Sequence, residues 1–287
     1  MQSLSPDMGT RLKQLLRHMV SLTWVDFPAT PADTSPARGQ MVTGFVIAID
    51  GVWIWVTAGH ICESIKELSS KRRIERLRFC DAWGGQFKND TTFPFPYSLD
   101  DLVYIHDQEN GVDYGVQILG HQPAALLNAA GIMPIEQECW TNTPTDINTF
   151  ALIGFPTSTM SVEVVDNKRM TLKGSAFAAP IEFLKTVPTE LIKPYCRFYG
   201  RLVDLDAEGL PNGACLADID GMSGGPIFGL KSINGEIKYW LIAIQSGWFP
   251  ERRIVTACLI ANLTMLLKDV LEQAKNAIAS DGGTTSA

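Results

Sequence analysis

The chain has 287 residues, 46% of them hydrophobic, with a net charge of −7 and a pI near 5.1. That length and apolar content are enough to bury a substantial core in one or two compact units. The acidic balance leaves no basic footprint for nucleic acid, and no apolar run reaches membrane-spanning length, since Met19 to Val25 is broken by Ser21 and Thr23.

Residues 8–22 place Leu12, Leu15, Leu16, Met19 and Val20 at helical spacing, with Arg11, Lys13, Gln14 and Arg17 elsewhere on the wheel. An amphipathic N-terminal helix is expected, either packed on the body of the protein or docking a regulatory partner. Ahead of it, Met1 to Asp7 lacks a basic segment followed by an apolar one, so no secretory signal and a cytoplasmic location are expected. Residues 27–40, rich in Pro, Ala, Thr and Ser, read as a linker or extended arm. Strands with two-residue periodicity then recur to about residue 120, with a helical stretch near residues 63–76. A proline- and threonine-bearing connection over 134–148 leads to an apolar strand at 149–156. Further strands are expected at 161–165, 170–175, 198–204, 226–230, 239–245 and 254–259, with Asn234-Gly235 as a turn between two of them. Residues 260–279 read as a closing helix with Leu263, Leu266, Leu267, Val270 and Leu271 on one face. The small, polar residues 280–287 are expected to be disordered. Cys62, Cys80, Cys139, Cys196, Cys215 and Cys258 contain no C-x-x-C pair and read as reduced, mostly buried thiols. The four histidines are scattered, so no metal site is expected.

Two peptides carry chemistry: Gly221-Met222-Ser223-Gly224-Gly225-Pro226 and, far upstream, Thr57-Ala58-Gly59-His60. A serine hydroxyl is a weak nucleophile at neutral pH and needs an imidazole to take its proton and backbone N–H groups to hold the oxyanion. Glycines around Ser223 permit the tight turn that such a loop requires. Gly221-x-Ser223-x-Gly225 also satisfies a nucleophile-elbow pattern, but that fold needs its histidine after the serine. His18, His60, His106 and His121 all precede Ser223. An order with aspartate first would use Asp26, whose surroundings, Val25-Asp26-Phe27-Pro28, lack a glycine-bounded strand end. What remains is His, then Asp, then Ser. Asp113, opening the apolar run Val112-Asp113-Tyr114-Gly115-Val116-Gln117-Ile118-Leu119, fits the middle place, whereas Asp100, Asp101 and Asp107 sit in a more polar stretch. The competing reading of Asp113 is an ordinary turn cap.

With these motifs the chain resembles the trypsin-like (chymotrypsin-fold) serine proteases, in the manner of an intracellular bacterial-type member without a PDZ domain. Residues 43–60, two apolar runs around Asp50-Gly51, resemble the hairpin leading into the family's histidine. Asp113 to Val116 resembles its aspartate strand, Gly221 to Pro226 its nucleophile loop, and Leu241 to Gly247 the strand that receives the substrate backbone. The resemblance implies an all-β fold of two six-stranded antiparallel Greek-key β-barrels with an N-terminal and a C-terminal helix. It divides the chain into a helix and arm at 1–37, a first barrel at 38–147, a second at 148–259, and a helix and tail at 260–287. It implies a serine endopeptidase in which His60 is the general base, Asp113 its orienter and Ser223 the nucleophile. Gly221 and Ser223 would supply the oxyanion hole, and Ala217, Asp218, Gln245, Ser246 and Gly247 would bind substrate. No cofactor or metal is implied, and the partners are a protein or peptide substrate and an activator or regulator at the N-terminal helix. Cys62 lies two residues past His60, and Val42, Thr43 and Gly44 stand where the secreted members carry its bridge partner. Met222 stands where zymogen-activated members have an aspartate, so activation through that salt bridge is not expected. Ala217 suggests a small or medium apolar residue before the cleaved bond, unless Asp218 reaches in; Arg252 and Arg253 are placed to neutralise it. Two rivals stay open: a catalytically silent binding module on the same fold, and an esterase.

Overall fold

The computed structural model describes residues 14–28, 30, 34–35, 37–81, 92–93, 98–166, 169–203 and 218–281. In chain order the first half comprises β1 (Val20–Pro28), β2 (Arg38–Val42), β3 (Phe45–Ile49), β4 (Val52–Thr57), helix α1 (Gly59–Lys71), β5 (Arg72–Asp81), β6 (Thr92–Phe93), β7 (Val103–Asp107) and β8 (Val112–Ile118). Helices α2 (His121–Ala129) and α3 (Glu138–Thr141) follow. The second half comprises β9 (Thr149–Gly154), β10 (Ser161–Asp166), β11 (Arg169–Lys173), β12 (Phe177–Phe183), β13 (Arg197–Leu202), β14 (Pro226–Ile233), β15 (Glu236–Phe249), β16 (Ile254–Leu259) and helix α4 (Ile260–Asp281).

Six strands of the second half close into an antiparallel barrel in the order β12-β13-β16-β15-β14-β9, while β10 and β11 form a separate hairpin. The described strands of the first half form two four-stranded sheets, β3-β4-β8-β7 and β2-β1-β5-β6. The protein is therefore mostly β, with one closed six-stranded barrel, further sheets and a few helices. Local chemistry fixes two of the hairpins. Asp50 and Gly51, at φ 50° and 79°, join β3 to β4, and Asn234 and Gly235, at 53° and 81°, join β14 to β15. Two successive positive φ values match the right-handed twist of the flanking strands, and Asx–Gly pairs reach them at the lowest cost.

One apolar cluster fills the barrel, with Leu152, Ile181, Phe198, Ile227, Ala243 and Val255 among its members. A second lies in the first half around Trp55, Cys62, Ile65 and Phe79. A third joins the halves, bringing Phe45, Ile47 and Ile49 of β3 together with Ile153, Phe228 and Leu241, and with Leu263, Leu267 and Leu271 of α4. Tyr114 on β8 donates to the Leu259 carbonyl at 2.9 Å and ties the same junction.

Several elements differ from the expectation. Of the helix expected at 8–22, residues 14–16 are helical, whereas Val20, Ser21 and Leu22 belong to β1. Seven consecutive residues of β1, Val20 to Asp26, are buried, and β1 is paired on its two edges with β2 and β5. Its alternation Val20-Ser21-Leu22-Thr23-Trp24 follows directly on Leu12, Leu15, Leu16 and Met19, whose helical spacing Val20 continues. Phe27, Pro28 and Arg38 to Gln40, expected in a linker, end β1 and open β2. The helix expected at 63–76 begins at Gly59 and stops at Lys71. Strand β12, helix α2 and helix α3 were not foreseen; β12 carries Pro180 and Glu182, which mask its period. On α4, Leu266 and Val270 are 47% and 52% exposed, so the buried stripe is Ile260, Leu263, Leu267 and Leu271. Ser280 and Asp281, expected in the disordered tail, still belong to α4, while residues 1–13 and 282–287, with the regulatory docking reading and the rest of the tail, lie outside the described residues. No helix among the described residues is long and apolar enough to cross a membrane.

Candidate active site

Strand β4 ends at Thr57 and the chain turns through Ala58 into α1, so His60 is the second residue of that helix. The turn packs against β7 and β8 so closely that a Cβ on Gly59 would strike the Ile105 carbonyl and approach the Tyr114 carbonyl to 2.8 Å and Asp113 Oδ1 to 3.0 Å. Only glycine fits there. Asp113, the second residue of β8, is 5% exposed. Both of its oxygens are engaged by one residue: Oδ1 accepts from the His60 backbone N–H at 2.8 Å, and Oδ2 meets His60 Nδ1 at 2.7 Å. A carboxylate can only accept, so Nδ1 carries the proton and Nε2 is left as the basic nitrogen.

The loop around Ser223 comes from the other half of the molecule. Gly221 and Gly224 adopt φ values of 88° and 87°. A Cβ on Gly224 would collide with Thr57 Oγ1 and lie 2.6 Å from the Thr43 carbonyl and 2.9 Å from the Ala58 nitrogen. That contact brings Ser223, the preceding residue, to the end of β4 from which His60 projects. Thr43 locks the approach: its hydroxyl donates to the Gly221 carbonyl at 2.9 Å and accepts from the Phe155 N–H at 3.0 Å, while its carbonyl accepts from the Thr57 hydroxyl at 2.8 Å. Beneath the loop, Met222 is fully buried in the barrel cluster. Its N–H donates to the Ile219 carbonyl and its carbonyl accepts from Gly225. Among the described residues nothing accepts from the N–H groups of Gly221 and Ser223, and Ser223 Oγ has no hydrogen-bond partner.

The thiols nearby are poor nucleophiles. Burial first, and the Asp113 charge second, push the Cys62 thiol up to about 12. Burial likewise raises Cys258, whose Sγ donates to the Gly111 carbonyl at 3.4 Å. Neither becomes a thiolate at neutral pH. Cys62, Cys139, Cys196 and Cys258 form no disulfide. No cluster of metal-binding side chains occurs among the described residues.

Of the substrate-binding candidates, Ala217 lies outside the described residues. Asp218 is exposed and accepts from Trp248 Nε1 at 2.8 Å and from the Asp220 N–H at 3.1 Å. Arg252 pairs with Glu190 instead, so the expected neutralisation of Asp218 by Arg252 is replaced by an indole contact. Gln245 is 1% exposed, and its backbone N–H and carbonyl are bonded to Gly225 and Gly224. Just beyond it, β15 and β16 slip register between Gln245 and Gly247. The Ser246 hydroxyl accepts from Arg197. His18 plays no part here: it is buried against the Met133 carbonyl and Tyr239. His121 opens α2 on the surface. Sequence reading missed Thr43, Thr57, His106 and Glu63. His106 meets Glu63 at 2.6 Å and lies 5.8 Å from the His60 ring. The three-residue interval from His60 to Glu63 was the available signal.

No protein-family model matches the chain, and no curated protein matches it. Solved structures similar to it include a thermostable serine protease, AL20, from an extremophilic microorganism, with 10% identity, a TM-score of 0.42, and 85% of this chain and 91% of that one covered. A catalytically active tobacco etch virus protease in complex with product gives 10%, 0.40, 85% and 73%. An inactive mutant of the murine norovirus NS6 protease gives 12%, 0.37, 76% and 88%. Similarity at these levels says nothing about the chemistry of the site.

Proposed function

We propose that the chain is a serine endopeptidase of the chymotrypsin type, with His60 as general base, Asp113 as its orienter and Ser223 as nucleophile. The observation that carries this reading is the double grip of Asp113 on His60, beside a positive-φ glycine loop that holds a serine and two unengaged N–H groups. His60 Nε2 takes the Ser223 proton as Oγ attacks the substrate carbonyl carbon. The Gly221 and Ser223 N–H groups receive the oxyanion, and His60 then protonates the leaving amine. Water, activated by the same imidazole, hydrolyses the acyl-enzyme. Burial of Met222 suits a loop held by apolar packing rather than by a salt bridge, and Trp248 against Asp218 suits a restricted pocket for a small apolar residue. The two halves act as domains that each contribute part of the trio, and the substrate is a protein or peptide.

A fluorophosphonate probe reacts only with an activated serine. Wild-type protein is expected to label stoichiometrically, and Ser223→Ala and His60→Ala to lose labelling by at least about 10³-fold. Folded wild type that never labels would reject the serine-hydrolase reading and leave a binding module. Turnover of peptide but not of matched ester substrates, or the reverse, separates peptidase from esterase.

A further inference from the structure

Helix α1 and the hairpin β7–β8 each carry one imidazole and one carboxylate, and these pair crosswise. The helix supplies His60 and Glu63, three residues apart and therefore on one face. The hairpin supplies His106 and Asp113, which are direct cross-strand partners. His60 Nδ1 binds Asp113 at 2.7 Å, and His106 Nδ1 binds Glu63 at 2.6 Å. The two rings stand 5.8 Å apart at 57°. Both imidazoles are largely withdrawn from water, at 28% and 25% side-chain exposure, whereas Glu63 is half exposed.

We propose that His106, clamped by Glu63, is a positioning residue for His60; this rests on the reading of His60 as the base. Its ring forms a wall beside the imidazole and restrains it from turning off Asp113. Glu63 holds that wall in place by binding His106 Nδ1 from the same helix that carries His60. The other charged groups on these elements are engaged elsewhere: on α1, Lys66 donates to the Leu102 carbonyl and covers the Tyr104 ring and Glu67 pairs with Lys71, and Asp107 on β7 binds Asn110. Asp113 on β8 is occupied by His60. Removing Glu63 therefore frees the His106 ring, and removing His106 takes away the wall beside His60.

The first measurement is the NMR signal of the His60 Nδ1 proton in full-length Ser223→Ala protein, which needs no turnover. That proton should be seen bound to Asp113 with His106 present and should exchange with water at least about tenfold faster in His106→Ala, while His106→Phe, which keeps a ring, recovers most of the protection. Glu63→Ala, at an exposed position, should give an intermediate effect by freeing the His106 ring. With Ser223 intact, His106→Ala should lower kcat about tenfold with little change in KM, and His106→Phe should recover most of it. Unchanged proton exchange in both His106→Ala and Glu63→Ala overturns the proposal, and Glu63→Ala supplies that result even if the His106 variants fold poorly. Loss of the serine-hydrolase reading would show instead as absent probe labelling with the exchange differences intact.

Discussion

At the scale of single residues, Asp113 has two duties that one substitution can separate. Its Oδ2 fixes the imidazole tautomer, while its Oδ1 anchors the main chain of α1 at His60. In Asp113→Asn the amide oxygen can keep one of these bonds and the NH₂ group then faces the other donor, so His60 is pushed toward the wrong tautomer. The rate should fall about 10⁴-fold, with a loss of stability near 1–3 kcal/mol. Activity assays beside urea melts check both; a rate within tenfold of wild type would remove Asp113 from the trio. His18 makes a different prediction. Burial, outweighing the bond to Met133, lowers it from 6.5 to about 4. The unfolded chain thus binds a proton that the folded one refuses between those values. Stability is complete above about pH 6.5 and declines as pH falls toward 4, by about 3 kcal/mol for this group alone. His18→Asn should flatten that part of the stability curve, measured by denaturant melts from pH 7 to 4. The candidate trio could be named from the sequence because all four histidines precede Ser223, which excludes a nucleophile elbow, and because Asp26 lacks the glycine-bounded strand end that an aspartate-first order would need. Thr43 and His106 were not, since their roles depend on contacts with Gly221 and Phe155, or with Glu63 and His60, that no local pattern encodes.

At the scale of elements, the glycines separate into those that a turn requires and those that the site requires. Gly51 and Gly235 have positive φ, but a Cβ added at either would meet nothing within 4 Å, so alanine there costs only backbone strain of about 1 kcal/mol. Gly224 has the same sign of φ, but its Cβ would meet Thr57, Thr43 and Ala58 at the seam between the loop and β4. Gly224→Ala should displace the serine loop and reduce labelling by more than about 10²-fold, while Gly235→Ala labels like wild type. Equal labelling of the two variants would mean that the seam does not position Ser223. The same distinction explains which elements could be read in advance. Hairpins with Asp50-Gly51 and Asn234-Gly235 signal themselves through turn chemistry, and β9 and β16 through short apolar runs. Strand β1 was hidden because its short alternation Val20-Ser21-Leu22-Thr23-Trp24 follows directly on apolar residues at helical spacing, and β12 because a proline and a glutamate interrupt it.

At the scale of the whole molecule, the candidate site exists only where the two halves meet: β4, α1 and β8 bring His60 and Asp113, and the barrel brings Ser223. The apolar cluster across the junction, with α4 laid over it, supplies the bulk of the attraction but little direction, because burial of Phe45, Ile153 or Leu267 tolerates small shifts. Directional bonds must therefore set the register, and the Thr43 hydroxyl makes two of them, to Gly221 and from Phe155. Thr43 is itself fully buried, so Thr43→Val keeps the volume and deletes both bonds, leaving a carbonyl and an N–H without partners. That should cost about 2–4 kcal/mol and, because an ångström of misplacement costs roughly 10²-fold in rate, it should lower fluorophosphonate labelling by about 10–10²-fold. Thr43→Ser retains the hydroxyl and should keep labelling within a few-fold of wild type, its smaller stability loss reflecting only the missing methyl. If Thr43→Val loses stability but labels at the wild-type rate, the junction is held in register by packing alone and the hydroxyl serves only the fold.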